Sequence, residues 1–171
     1  TSERYLEDIL KLIVMVTAKV TGVEICSLWL IDESEEPVRI RLKATQAIDP
    51  EYVKDRSLTL TEGVVGYVAS SNQPLVVSDV LLEPRFKEKE MARKLGLASM
   101  VGVPLQLRDE RIIGVLNCFT AQPHHFSETE VYLIRTVANQ AALTLENARL
   151  LAETKRQAEQ QQRISALANS V

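Results

Sequence analysis

Two apolar runs, Leu97–Leu107 and Arg111–Phe119, are separated only by Arg108-Asp109-Glu110. A three-residue charged break between two such runs reads as a hairpin, which makes these segments antiparallel neighbours. Val101, Val103, Leu105 and Leu107 fall on one face of the first strand. Gly102 and Pro104 interrupt the other face, and proline removes a ladder donor, so this strand is expected to be bulged or partly at a sheet edge. The second strand carries one polar residue, Asn117, whose ordinary role in such a setting is a hydrogen-bonded core amide.

The rest of the chain frames this hairpin. Ser2–Thr21 has helical spacing at Leu6, Ile9, Leu12/Ile13, Val16 and Val20, with Ser2 as a cap and Gly22 as the stop. A second apolar line, Tyr5, Leu12 and Met15, suggests packing on more than one surface. Val23–Ile31 is apolar almost throughout and is expected to be a strand covered on both faces. Ile25, Ser27 and Trp29 share one of those faces, and Ser27 is either bonded to neighbouring backbone or available to a ligand. Val38–Ala44 alternates Val38, Ile40, Leu42 and Ala44 against Arg39, Arg41 and Lys43, a strand with one wet face. Asp49-Pro50-Glu51 starts a short connecting turn.

Leu58 and Leu60 mark a short strand, and Val64–Ser71 a two-turn helix ended by Asn72 and Pro74. Gly66 inside that helix costs about 0.5–1 kcal/mol relative to alanine, which points to close backbone approach there. Gly63 and Gly66 are not a phosphate loop, because the lysine and hydroxyl of that motif are missing. Leu75–Val77 is another short strand. A helix from about Lys87 to Leu95, stopped by Gly96, has sparse apolar positions (Phe86, Met91, Leu95) and reads as a lid.

Ser127-x-x-Glu130 is a capping box, with Phe126 placed to staple the first turn. In the long helix after it, Val131, Ile134, Ala138, Ala141, Leu145 and Ala148 form one stripe. Leu143, Leu150, Ile164, Leu167 and Val171 form a second, roughly heptad line. Glu153–Arg163 is polar all round, so a helix continuing through it must fray or find a partner chain. The first stripe belongs to the core, and the second is a candidate dimer seam together with Leu12.

The chain has 171 residues, about one domain, with 46% apolar and 25% charged residues. A net charge of −3 argues against a nucleic-acid partner, which requires a basic face. No apolar run approaches a membrane span, and no signal peptide is recognisable. Cys26 and Cys118 lie inside strands and read as small core residues of a reducing, cytoplasmic protein. The start at Thr1 and the terminal helices suggest a piece of a longer protein. No Ser-His-Asp arrangement, metal spacing or paired acid–base carboxylates can be assembled, so no catalytic residue is assigned.

The order of elements predicts an α+β fold: a central antiparallel sheet with terminal helices on one face and small helices on the other. VEICSLWLID in the first strand, LTEGVVGYVASSNQPLVVSDV, EPRF, the GVPLQLRDERIIGVLNCF hairpin and FSETE together resemble the GAF domain family. The resemblance covers about Leu6 to Leu151. It implies a GAF-like (PAS-related) six-stranded sheet, with a ligand site between the sheet and the small helices. It also implies a regulatory, non-catalytic role upstream of an output module. Carried over, the candidate ligand-binding set is Ser27, Trp29, Val64, Val65, Asp79, Phe86, Met91, Leu95, Ser99 and Asn117. Asn117 matches an acidic base-reading position of the cyclic-nucleotide members.

Cyclic-nucleotide members carry an Asn-Lys pair where this chain has Thr120-Ala121, and an acidic pair where it has Glu130-Val131. Covalent bilin attachment needs a thiol beside the pocket helices, and Cys26 and Cys118 are in strands instead. Adjacent His124 and His125 point apart and make a poor metal pair.

The expectation is a sensor module of a bacterial-type signalling protein. It spans residues 1–151: the first helix at 2–21, sheet and pocket at 23–126, and the last helix from 127. A helical linker at 152–171 leads toward a covalently attached output domain. The module is expected to be homodimeric and cytoplasmic, free or as part of a membrane-anchored protein, with an unidentified small-molecule ligand and no named cofactor. The alternative is a ligand-free dimerisation module; weaker ones are cyclic-nucleotide binding and reduction of free methionine sulfoxide, which needs an accessible thiol.

Overall fold

A computed structural model describes residues 2–46 and 55–170. The expected turn at Asp49-Pro50-Glu51, the side chain of Ser2 and Val171 lie outside the described residues. The elements are α1 (Ser2–Thr21), β1 (Ile25–Asp32), β2 (Arg39–Thr45), β3 (Ser57–Thr59), α2 (Gly63–Ser71), β4 (Leu75–Val77), α3 (Lys89–Leu95), β5 (Ser99–Gln106), β6 (Ile112–Thr120) and α4 (Glu128–Asn169). The six strands form one antiparallel sheet in the order β3-β2-β1-β6-β5-β4. The predicted hairpin is β5–β6, closed by a turn in which Leu107 and Arg111 pair and Glu110 adopts a left-handed φ of 70°. β4 covers only Leu75↔Gly102 to Val77↔Met100 of β5, so Pro104 sits where no ladder partner is required.

The sheet has two dry faces. On one, Cys26, Leu28, Val101, Val103, Leu105, Leu116 and Cys118 pack against α1 and α4. On the other, Trp29, Ile40, Leu42, Met100, Val115 and Phe119 pack against α2, α3 and the loops beside them. β1 and β6 are central and lie between both layers, which explains why their sequences are apolar without alternation.

β2 departs from its expected alternation. Leu28 pairs with Ala44 while Trp29 pairs with Leu42, so the register shifts at Lys43. An extra residue in a period-two strand sends every later side chain to the opposite face. Ile40 and Leu42 face α2, whereas Ala44 faces α1, and the bulge turns Thr45 toward Ser27.

In α1 the buried face is Leu10, Val14, Thr17 and Ala18, with Ile9 and Ile13 beside it. Val16 and Val20, expected in the core stripe, are 47% and 58% exposed. The helix is apolar over so much of its circumference that spacing alone admits two faces. The buried one carries the small residues Thr17 and Ala18, which permit close approach to the sheet. In α4 the expected stripe holds: Ile134, Ala138, Ala141, Leu145 and Ala148 are buried. Its start is the predicted capping box, in which Ser127 Oγ accepts from the Glu130 N–H and Glu130 Oε1 accepts from the Ser127 N–H. Beyond Ala148 no described residue is buried, yet the helix continues to Asn169, projecting about 30 Å.

The other terminators fall where glycine and asparagine predicted. Gly22 and Gly96 are left-handed, and Asn72 closes α2 at φ 54°. Gly66 does permit a close approach: a Cβ there would lie 3.0 Å from the Leu60 carbonyl oxygen, so it is the chain entering α2 that requires glycine. α3 is better seated than its sparse pattern implied, because Ala92 is fully buried and Met91 and Leu95 pack half-buried beside it.

Candidate functional site

A row of small and polar residues crosses the α2-facing side of the sheet. Thr45 on β2, Ser27 on β1, Asn117 on β6 and Gly102 on β5 are consecutive partners in register. Ser27 and Thr45 share a hydroxyl–hydroxyl hydrogen bond of 3.0 Å, rather than the backbone bond expected for Ser27. Asn117 is only 4% exposed, and its Oδ1 has no hydrogen-bond partner. The fully bonded core amide expected from the sequence is therefore corrected at its oxygen. Leaving a buried acceptor unpaired costs about 1–3 kcal/mol, so this atom is a place where a donor would be favoured.

α2 and the segment leading into α3 roof this floor. Val64 and Val65 come from the first turn of α2, and Phe86 descends from the loop before α3 to meet Phe119 edge-on, with ring centroids 5.9 Å apart. The space left beneath Phe86 is about 20 Å³. That is close to the smallest volume able to hold one water, so the pocket is shut against anything larger.

Several ties hold the roof. Lys89 Nζ donates to the carbonyls of Glu83 and Phe86, each at 2.7 Å. Arg85 lies 4.8 Å over the Tyr67 ring of α2 and pairs with Glu83, whose carboxyl is held below its ordinary range chiefly by that hydrogen bond. Arg56, before β3, reaches Glu88 at 3.0 Å.

Of the residues expected at a ligand site, Ser27, Trp29, Val64, Val65, Phe86, Met91 and Asn117 line this one cavity. Asp79, Leu95 and Ser99 lie outside its lining. Asp79 instead accepts the Leu81 N–H in a local turn, and Leu95 packs at the side of the roof. Ser99 is buried as a brace, donating to the Ser78 carbonyl and accepting from the His124 N–H. Leu42, Leu58, Lys87, Glu88 and Phe119 also line the cavity and were not anticipated. Phe119 was legible, since it shares a strand face with Asn117 two residues away; the others depend on long-range pairing.

Chemistry elsewhere is limited. Cys26 and Cys118 face α1 and α4, on the opposite side of the sheet from the cavity. His124 Nε2 lies within hydrogen-bond distance, 2.7 Å, of Glu130 Oε2. Among the described residues no cluster of three or more His, Cys, Asp and Glu could hold a metal. A larger open groove of about 920 Å³ lies between α1, the edge of β2 and α4. Its rim mixes charges that already pair, including Arg111 and Arg149 with Glu146.

A sheet with long terminal helices on one face and a small roofed pocket on the other defines a layered α+β module. The chain belongs to the GAF domain family, whose model matches residues 5–145. It is 26% identical over 147 residues to the phosphoenolpyruvate-dependent phosphotransferase system protein of Escherichia coli K12. That match covers 86% of this chain and 19% of that protein, so the chain spans about a fifth of the relative's length. The crystal structure of the GAF domain from the Acinetobacter phosphoenolpyruvate-protein phosphotransferase superposes with a TM-score of 0.71 at 29% identity, covering 86% of each chain. The fold is shared with the free methionine-R-sulfoxide reductase of Neisseria meningitidis, with a TM-score of 0.65, 23% identity, and coverage of 83% of this chain and 78% of that one.

Proposed function

We propose that this chain is a non-catalytic, ligand-responsive relay module. In this reading a small molecule bearing a hydrogen-bond donor displaces the Phe86 side chain and satisfies Asn117 Oδ1. The signal passes through α1 and α4 of a homodimer to a covalently attached output domain. The observation that carries the reading is the unpaired, buried Asn117 oxygen at the floor of a shut pocket. A shut apo state and an opened bound state differ in ligand affinity, which is what coupling requires.

The relay half rests on the helices. Tyr5, Leu12, Met15, Val16 and Val20 leave an apolar stripe exposed on α1. Leu150, Leu151, Ile164 and Leu167 do the same on α4 where it has left its own core. A second copy of the same helices would cover both. The kinship with phosphotransferase GAF domains favours an output domain of that kind, and a cytoplasmic setting fits it. Among the described residues no helix is long and apolar enough to cross a membrane. The reductase reading is disfavoured by both thiols facing away from the pocket.

Native mass spectrometry of freshly purified, undialysed protein tests both halves at once. A dimer carrying a discrete extra mass is the expected result. A clean apo dimer would favour the ligand-free dimerisation module, and a monomer would remove the relay.

A further inference from the structure

Cys26 and Cys118 face each other at the centre of the sheet. They are direct partners in the β1–β6 register, their sulfurs are 3.5 Å apart, and both are free thiols with no solvent exposure. The surrounding hydrogen bonds define what kind of pair this is. Cys26 donates its N–H to Gln46 Oε1, and its carbonyl accepts from the Gln46 N–H. Both backbone groups therefore point away from β6. Cys26 and Cys118 form a non-hydrogen-bonded antiparallel pair, the kind with Cα atoms about 4.5 Å apart. That separation falls within the range of about 4.4–6.8 Å that a disulfide can span.

We propose that Cys26 and Cys118 are a redox modification site, a gated dithiol that closes to an intrachain disulfide when a peroxide-class oxidant reaches it as α1 and α4 lift from the sheet. The gate is the helical layer itself, since the pair shares one apolar cluster with Leu10 and Val14 of α1 and Ala138 and Ala142 of α4. While that layer is docked the thiols are inert. The nucleophile is the thiolate, and the neighbouring Cys26 thiol and burial push the Cys118 thiol up, away from that form.

Once opened, one thiolate attacks a peroxide oxygen and the O–O bond breaks. The departing hydroxide takes up a proton to leave as water, and the sulfur becomes a sulfenic acid. The second thiol attacks that sulfur, the S–S bond forms and a second water leaves. Two electrons pass from the sulfurs to the peroxide, and the products are one disulfide and two waters. The pair thus records how often the terminal helices leave the sheet, on the face opposite the ligand pocket.

The test is hydrogen peroxide treatment of the intact chain in native buffer, then intact-mass measurement and non-reducing peptide mapping. The expected product has lost the mass of two hydrogens and joins the peptide holding Cys26 to the one holding Cys118. Leu10→Ala loosens α1 and should speed the reaction about tenfold or more. A series of urea concentrations below the unfolding transition should accelerate the wild-type chain in the same way, with no dependence on that variant folding. Cys26→Ser should never show the two-hydrogen loss. Separate sulfinic acids, cross-links between chains, no mass change under any of these conditions, or a rate indifferent to both Leu10→Ala and urea would overturn the proposal.

Discussion

Asn117 Oδ1 occupies the space that a side chain on Gly102 would need: a Cβ built on Gly102 lies 2.8 Å from that oxygen. The two residues are direct partners across β6 and β5, and Val64 and Val68 of α2 close in from above, each 3.3 Å from the same point. Gly102 is what lets an amide lie flat on the pocket floor with its oxygen unpaired. Gly102→Ala should cost about 1–3 kcal/mol by overpacking. Pairing it with Asn117→Ala should recover part of that loss, as read by a double-mutant cycle in urea.

Asn117→Leu gives a prediction of opposite sign. It removes an unpaired buried acceptor and keeps the branched, four-heavy-atom shape of the side chain. The ligand-free protein should be stabilised by about 1 kcal/mol, measured as a shift of the urea midpoint without a change in slope. An equal or lower midpoint would mean that this oxygen is already satisfied in solution.

Phe86 is buried to 4% exposure and closes the pocket against Phe119. Phe86→Ala should cost about 3–5 kcal/mol and leave a cavity under the roof. Added indole should restore part of the lost thermal stability in the variant and leave the wild type unchanged, as thermal denaturation with and without indole would show.

Glu110 holds a left-handed conformation at φ 70° in the β5–β6 turn. That region costs a side chain about 1–2 kcal/mol, against about 0.5–1 kcal/mol of extra backbone freedom that glycine loses on folding. Glu110→Gly should therefore stabilise the fold by about 0.5–1 kcal/mol in chemical denaturation.

The Glu130 carboxyl is held below its ordinary range, first by the Ser127 N–H of the capping box and then by His124. A carboxyl lowered in the folded state contributes stability above its unfolded pKa, about 4.3, and loses it as pH falls through the lower folded value. Glu130→Gln keeps a side-chain acceptor for the cap and removes the titration. The difference in melting temperature between wild type and variant should be largest near neutrality and shrink below about pH 4.3.

The local rules of the chain were legible in order. The β5–β6 hairpin, the capping box at Ser127, the left-handed stops at Gly22, Asn72 and Gly96, and the α4 stripe all derive from periodicity and from which residues tolerate special backbone angles. So does the layered α+β arrangement, because doubly apolar central strands need cover on both faces. Part of the pocket was reachable as well, because strand alternation places Ser27 and Trp29 on one surface and the family resemblance adds Asn117.

What only the tertiary structure decided is everything set by register between distant segments. The bulge at Lys43 sends Ala44 to one face and Leu42 to the other. α1 buries Leu10 and Val14 instead of Val16 and Val20, because its apolar arc is wider than one face and the neighbours choose which part is covered. The unpaired state of Asn117 depends on Gly102, fifteen residues earlier, and the closeness of Cys26 to Cys118 depends on a β1–β6 pairing that spans most of the chain. Periodicity reports how a residue sits on its own element, and long-range pairing determines which atoms end up within reach of one another.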